Sequence, residues 1–418
     1  MDIRQIHAHE IPAWRNSVHD TFGIDSSTDL LGEERVRALC DLSRAFGAFD
    51  RGDIVGTAAA FDFQLSVPGG SVPMSGLTMV TVRPTHRRRG ILRALIAAHL
   101  DAARLHGDPV SGLFASEATI YGRFGYGVAA ESEALTITST GARVAEGHSH
   151  DEVEHVSNDQ AATLAPEVYR RAFAQRPGLF SRSHDWWRLR RLLDRPDQRA
   201  GTTPRKYAVT RRGEHVTGYV AYRQRFGVID GAPSGSFEID ELIALDPRAE
   251  ATLWRYVANI DLYPKVTWWN APVDHLLPWL LDDRRKVSRR RADTLWLRID
   301  DVARALAART YSADGEIRIG IEGQTFQLTV NAGVATCSAT DYPADIRLDR
   351  DALGSIYLGA IAPSLLVRAG RGESLGNPSG LLPEAIGSPS GLLPEAAALT
   401  LADRMFATSI APWCPEVF

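Results

Sequence analysis

The sequence predicts a mixed α/β (α+β) protein of three units, two of them built alike. An arginine-rich loop joins a strand-like run to a helix-like run at residues 80–93. The same hairpin, strand and helix order returns after residue 204, and a different α/β pattern starts near residue 293. Boundaries are placed accordingly at 1–150, 151–292 and 293–418.

In the first unit, residues 46–50 and 54–67 are apolar runs joined by Arg51-Gly52-Asp53, the composition of a hairpin. Residues 77–82, bounded by Gly76 and Pro84, predict a buried strand. Ile91, Leu92, Leu95, Ile96 and His99 then recur at helical spacing, so a helix starts near Gly90. Its first N–H groups lack internal partners and its dipole favours negative charge. Gly90 lets a ligand approach the backbone, and Arg87, Arg88, Arg89 and Arg93 add positive potential. The loop reads as a pyrophosphate cradle, although an arginine run alone is more often a solvated face. Residues 110–115 predict the next strand. Residues 116–127 follow as a short helix that carries Tyr121 and Tyr126 and stops in glycines.

In the second unit, residues 206–210 and 215–224 repeat the hairpin, 236–245 the strand and 249–260 the helix. The joining loop Asp246-Pro247-Arg248-Ala249-Glu250 has two acids and no glycine, and cannot offer an anion the same backbone. Trp186, Trp187, Trp268 and Trp269 are expected in the core rather than stacked on a ligand. In the third unit, residues 295–299 are strand-like, Asp300 fits a helix cap and 302–309 are helical. A hairpin at 316–322 and 325–330 and helical stretches at 353–358 and 399–407 follow. The octapeptide at 378–385 recurs at 389–396; a duplicated surface loop is expected, with a partner-binding loop as the alternative.

A net charge of −4, with 44% hydrophobic and 23% charged residues, is that of a globular chain without overall attraction for nucleic acid or anionic membrane. Neither is expected as a partner. No run reaches the ~18 apolar residues of a membrane helix, and the N-terminus lacks a signal-peptide core, which predicts a cytoplasmic protein. Cys40, Cys337 and Cys414 form no C-x-x-C pair. His148, His150 and His155 cluster with Asp151, Glu152 and Glu154 in a polar stretch where a linker is expected over a metal site, so no metal is expected.

The order strand, anion loop, helix, strand, tyrosine-bearing short helix resembles the GNAT acetyltransferase superfamily. Its cofactor loop, Arg/Gln-x-x-Gly-x-Gly/Ala, is matched by Arg87-Arg88-Arg89-Gly90-Ile91-Leu92, with Leu92 in place of the small last residue. That departure, Ala115-Ser116-Glu117 followed by Ile120-Tyr121-Gly122-Arg123-Phe124-Gly125-Tyr126-Gly127, and the chain length resemble the actinobacterial Eis family over the whole chain. The resemblance implies tandem GNAT folds, the second degenerate, followed by a sterol-carrier-protein-like α/β domain. It implies acetyl-CoA as cosubstrate, held by Val80, Thr81, Val82, Arg88, Arg89, Gly90, Ile91, Leu92, Arg93, Ser116 and Glu117. It further implies Tyr121 as general acid, the α-carboxylate of Phe418 as base, a homo-hexamer, and acceptors among aminoglycosides, polyamines and lysine side chains.

The chemistry asks for these parts. A tyrosine, with a reference pKa near ~10, is protonated at neutral pH and can donate to a leaving thiolate, and an alkylamine near ~10.4 needs a base. Tyr126, between Gly125 and Gly127, is the competing acid. No Ser-His-Asp or Cys-His spacing suggests an acyl-enzyme, so direct attack is expected. Asp20, Asp25 and Glu416 are candidates to face the acceptor's cation. An apolar-ligand carrier built on the third unit, or an assembly protein with a relic GNAT unit, are the competing functions. A relic would be expected to lose Tyr121, Gly90 or the arginines, and all are present.

Overall fold

The computed structural model describes residues 1–25, 29, 31–138, 143–144, 151–375 and 395–418. His148, His150 and the octapeptide repeat, apart from the end of its second copy, lie outside the described residues. The chain divides into two compact units. The first comprises residues 1–130, 294–412 and 416–418, and the second comprises 131–293 and 413–415.

The main sheet of the first unit runs, in spatial order, Asp2–Gln5, Ala45–Asp50, Asp53–Val67, Gly70–Val82, Val110–Phe114, Leu295–Ile299 and Gly127–Val128. The expected hairpin forms, with Arg51 and Gly52 both left-handed at φ 54° and 91°, the turn geometry that follows strand twist. Helix Ile91–His106 turns Ile91, Leu95, Ile96, His99, Ala102 and Ala103 into the core. A second, five-stranded sheet orders Val334–Thr340, Gln324–Asn331, Gly315–Ile321, Ile346–Leu348 and Gly372–Ser374, beside helices Val302–Ala307, Pro363–Arg368 and Glu395–Phe406, while helix Arg350–Ile356 packs on Leu295–Ile299 and Gly127–Val128 of the main sheet.

The sheet of the second unit runs Val287–Asp293, Glu131–Thr138, Lys265–Pro272, Ser236–Ala244, His215–Arg225, Lys206–Arg212 and Glu152–Val156. Helix Asn158–Phe173 starts at a capping box between Ser157 and Gln160, and helix Pro247–Ala258 follows the strand Ser236–Ala244. Trp186, Trp187 and Trp268 are buried as expected, whereas Trp269 is 52% exposed.

Two strands depart from the boundaries drawn at 150 and 293. Glu131–Thr138 pairs on both sides within the sheet of the second unit. Leu295–Ile299 is an interior strand of the first, between Val110–Phe114 and Gly127–Val128, with every residue but Arg298 buried. Local periodicity identifies a strand but not its partner: a largely apolar run shows that both faces are covered, not which strands pair with its edges. Asp300 does not cap the next helix. Asp301 does, accepting from the Arg304 N–H at 3.0 Å, which leaves Asp300 to accept from Ser111 Oγ at 2.6 Å.

Candidate functional site

The site begins where two strands part. Gly70–Val82 runs parallel to Val110–Phe114 only from Met74–Val110 to Gly76–Gly112. Beyond Gly76 the strand keeps its antiparallel partner Asp53–Val67 and no longer pairs on the other side. A bulge deepens the opening: Thr57 faces Thr81 and Ala59 faces Thr78, which leaves Met79 and Val80 opposite one residue, with Met79 at φ 51°. Thr57, fully buried, braces the bulge. Its Oγ1 donates to the Met79 carbonyl at 2.7 Å and accepts from Thr81 Oγ1 at 2.6 Å. The Thr81 side chain is therefore spent inside the sheet, and what Val80, Thr81 and Val82 present to the opening is backbone. The only sign of Thr57 in the sequence was a hydroxyl among the apolar residues of 54–61.

The loop lies at the end of that strand. After the turn Pro84–His86, Arg88 at φ 63° and Gly90 at φ 81° reverse the chain into helix Ile91–His106. Gly90 is the N-cap residue, with no side-chain cap on the helix, so the first N–H groups remain open. The space around a Gly90 Cβ is empty, so its glycine answers to backbone conformation rather than to a close neighbour. Arg87, Arg88, Arg89 and Arg93 are exposed, Leu92 is half-buried, and Ile91 is buried in the core. These residues fit a cosubstrate with amide groups along its arm and a pyrophosphate at its end: an open strand edge meets an uncapped helix N-terminus ringed by cations.

Across the opening, Ser116 and Glu117 are exposed and precede the turn Ala118–Tyr121 and Gly122–Phe124. Tyr121 is 6% exposed. Burial raises its pKa above the ordinary tyrosine value, a hydrogen bond from Ser116 opposes that, and the Glu117 charge adds to it. Tyr126 packs edge-on against Tyr121 at 6.2 Å between centroids but is sealed from solvent, its hydroxyl 3.3 Å from His99 Nε2. Burial, reinforced by the charges of Arg44 and Arg298, lowers His99 to about 3, so its ring is neutral. Of the two tyrosines, Tyr121 alone keeps any exposure.

Phe418 is on this sheet as well. Its ring meets Phe63 edge-on at 5.3 Å, and a Cβ on Gly76 would stand 3.2 Å from it and closer still to Phe63, so glycine alone fits there. Gly76 is the last residue paired before the strands part. Glu416 is 3% exposed, while Asp20 and Asp25 are exposed on and just after helix Ile11–Phe22. That helix is pinned to the sheet by Trp14 Nε1 donating to Phe46 O at 2.8 Å and by Ser17 Oγ donating to Ile54 O at 3.2 Å. Among the described residues no three metal-ligating side chains gather, and no helix is long and apolar enough to cross a membrane.

Comparison with known proteins agrees with this architecture. Residues 2–129 and 178–299 match family models described as acetyltransferase (GNAT) domains, and 302–415 match a sterol carrier protein domain. The chain is 33% identical to an uncharacterized N-acetyltransferase of Streptomyces avermitilis, covering 100% of this chain and 99% of that one. It is 35% identical to the N-acetyltransferase Eis of Mycobacterium tuberculosis, covering 83% and 88%. The crystal structure of Eis1 from Mycobacterium abscessus superposes over 100% of both chains with a TM-score of 0.82 at 28% identity. With two GNAT domains, a sterol-carrier-type domain and Eis proteins among its relatives, the chain belongs to the Eis-type GNAT N-acetyltransferases.

Proposed function

We propose that this acetyltransferase uses acetyl-CoA to acetylate primary amines of polycationic acceptors, aminoglycosides, polyamines or lysine side chains, by direct attack. Val80, Thr81 and Val82 offer backbone to the pantetheine arm, Arg88 to Arg93 with the Gly90 helix start hold the pyrophosphate, and Ser116 and Glu117 line the opposite wall. Tyr121, kept protonated by burial, donates its proton to the departing thiolate sulfur as the C–S bond breaks. The terminal carboxylate of Phe418 takes the proton of the amine whose nitrogen forms the new C–N bond. Asp20, Asp25 and Glu416 are the candidate carboxylates to face an acceptor cation, and a homo-hexamer in the cytoplasm is the expected setting.

The observation that carries this reading is the seat of Phe418 over Gly76, at the last paired position before the strands part. It is tested by thiol release from acetyl-CoA against a panel of amines, with the native chain and with one extended beyond Phe418. The extension converts the carboxylate to an amide, and turnover should vanish while acetyl-CoA binding persists. Full turnover of the extended chain across its pH profile would place the base elsewhere.

A further inference from the structure

The turn that carries Tyr121 is short, and much of what fixes it comes from the far end of the sequence. Tyr121 closes onto Tyr126 through a backbone bond of 3.3 Å, and Gly122 onto Gly125 through one of 2.9 Å. The carbonyl of Phe124, between them, accepts from Arg298 Nη1 at 2.6 Å. Arg298 is held in turn: its Nε donates to Asp300 Oδ1 at 2.7 Å, and Asp300 Oδ2 accepts from Ser111 Oγ at 2.6 Å. Gly125, left-handed at φ 82°, lies under the same group, since a Cβ there would stand 2.5 Å from Arg298 Nη1 and 3.0 Å from Arg350 Cδ. Arg350 is tied by Nη1 to the Ile299 carbonyl and by Nη2 to Glu322 at 2.7 Å. Strand Leu295–Ile299 and helix Arg350–Ile356 thus press two guanidinium side chains onto the tyrosine turn.

We infer that Arg298, oriented by Asp300, is a positioning residue for acetyl transfer, clamping the Phe124 carbonyl so that the Tyr121 hydroxyl is held at the leaving group. A planar guanidinium can donate to a carbonyl and a carboxylate in fixed directions, which a point charge cannot. A displacement of about 1 Å at a catalytic group is worth up to roughly a hundredfold in rate. The inference rests on Tyr121 being the acid, so the test separates the two.

Turnover and acetyl-CoA affinity are measured for Arg298→Met, Tyr121→Phe and the double variant, together with hydrogen exchange of the amides at 122–126. Arg298→Met should lower kcat by about 10–100-fold with acetyl-CoA affinity unchanged, speed exchange in the turn, and add no further loss to Tyr121→Phe. Unchanged kcat, or losses that multiply in the double variant, would overturn the clamp. If Arg298→Met does not fold, Asp300→Asn, which keeps its shape but not the charge that orients Arg298, decides by the same cycle with a smaller loss. If Tyr121→Phe retains full turnover, the acid assignment falls. The clamp is then judged on the exchange alone, and slow exchange in Arg298→Met removes it.

Discussion

The two GNAT units part company at the start of one helix and on one strand. Both keep the parallel pairing that stops midway, at Gly76–Gly112 in the first and Ile239–Trp268 in the second. Both keep the bulge, between Thr57 and Ala59 and between Ala221 and Tyr222. In the first unit the helix start has no side-chain cap. In the second, Asp246 caps it by accepting from the Ala249 N–H at 2.9 Å and pairs with Arg212 at 3.1 Å. At the second bulge Asp240 binds Arg205 at 2.6 Å. Its neighbour Glu241, 2% exposed, binds Arg182 at 2.5 Å, Arg191 at 3.0 Å and the Tyr219 hydroxyl. The second unit kept the fold but caps its helix start and fills its bulge with its own side chains. A binding site here is hydrogen-bonding capacity that the chain leaves unspent.

The largest expected effect tests whether the internal network holds the second unit. Burial opposes ionisation of Glu241, but Arg182 and Arg191 hold its carboxyl down at about 2. Glu241→Ala strands two arginines and should cost about 3–5 kcal/mol, read as an earlier melting transition. Unchanged melting would show the network to be dispensable. Next, Arg88→Glu reverses a charge at the open helix start and should weaken acetyl-CoA binding roughly tenfold to a hundredfold, about 1.4–2.7 kcal/mol, with the difference shrinking in high salt. Calorimetry showing equal affinity would make the two loops equivalent and remove the contrast.

A smaller effect sharpens the comparison. Asp246→Ala should cost about 1 kcal/mol of stability as a lost cap. It should not create a second acetyl-CoA site, because Glu241 and its arginines still fill the strand. Two equivalents bound per chain would mean that the cap alone had silenced the second unit. The smallest effect at neutral pH concerns His99. Its native pKa, about 3, lies below the unfolded value near 6.5, so the folded state binds fewer protons there. The stability this costs is nil above pH 7 and grows as pH falls from about 6.5 towards 3. Histidine ring NMR should show His99 neutral from pH 6.5 down to about 4 and charging only below that, and a midpoint near 6.5 would place the ring in water.

What the sequence disclosed were features written locally. Arg87 to Leu92, the glycines around Tyr121 and the acids at Asp246 and Glu250 declare a loop's chemistry within a few residues, and the recurrence of hairpin, strand and helix declared the second unit. The opening itself was not legible, because it depends on where a parallel register stops and on a left-handed Met79. Thr57 was missed because bracing a bulge is a property of the cross-strand neighbour. Leu295–Ile299 read correctly as a strand, yet its place in the first sheet is a long-range pairing that no periodicity encodes. Asp300 looked like a cap because Asp301, which does the capping, stands beside it.

That strand bears on how the protein is made. Ser111 and Asp300, joined by a hydrogen bond, stand 189 positions apart. Val110–Phe114 finds its neighbour Leu295–Ile299 only after the whole of 131–293 has been synthesised. The N-terminal GNAT unit therefore cannot mature on the ribosome as an early, self-sufficient piece. It must wait with an unfinished sheet edge while the second unit emerges, a slow, high-contact-order closure that leaves the N–H and C=O groups of Val110–Phe114 unpaired on that side in the interval. Expression of residues 1–130 alone would leave that edge permanently open, and the enzyme's yield should depend on folding conditions more than its finished stability suggests.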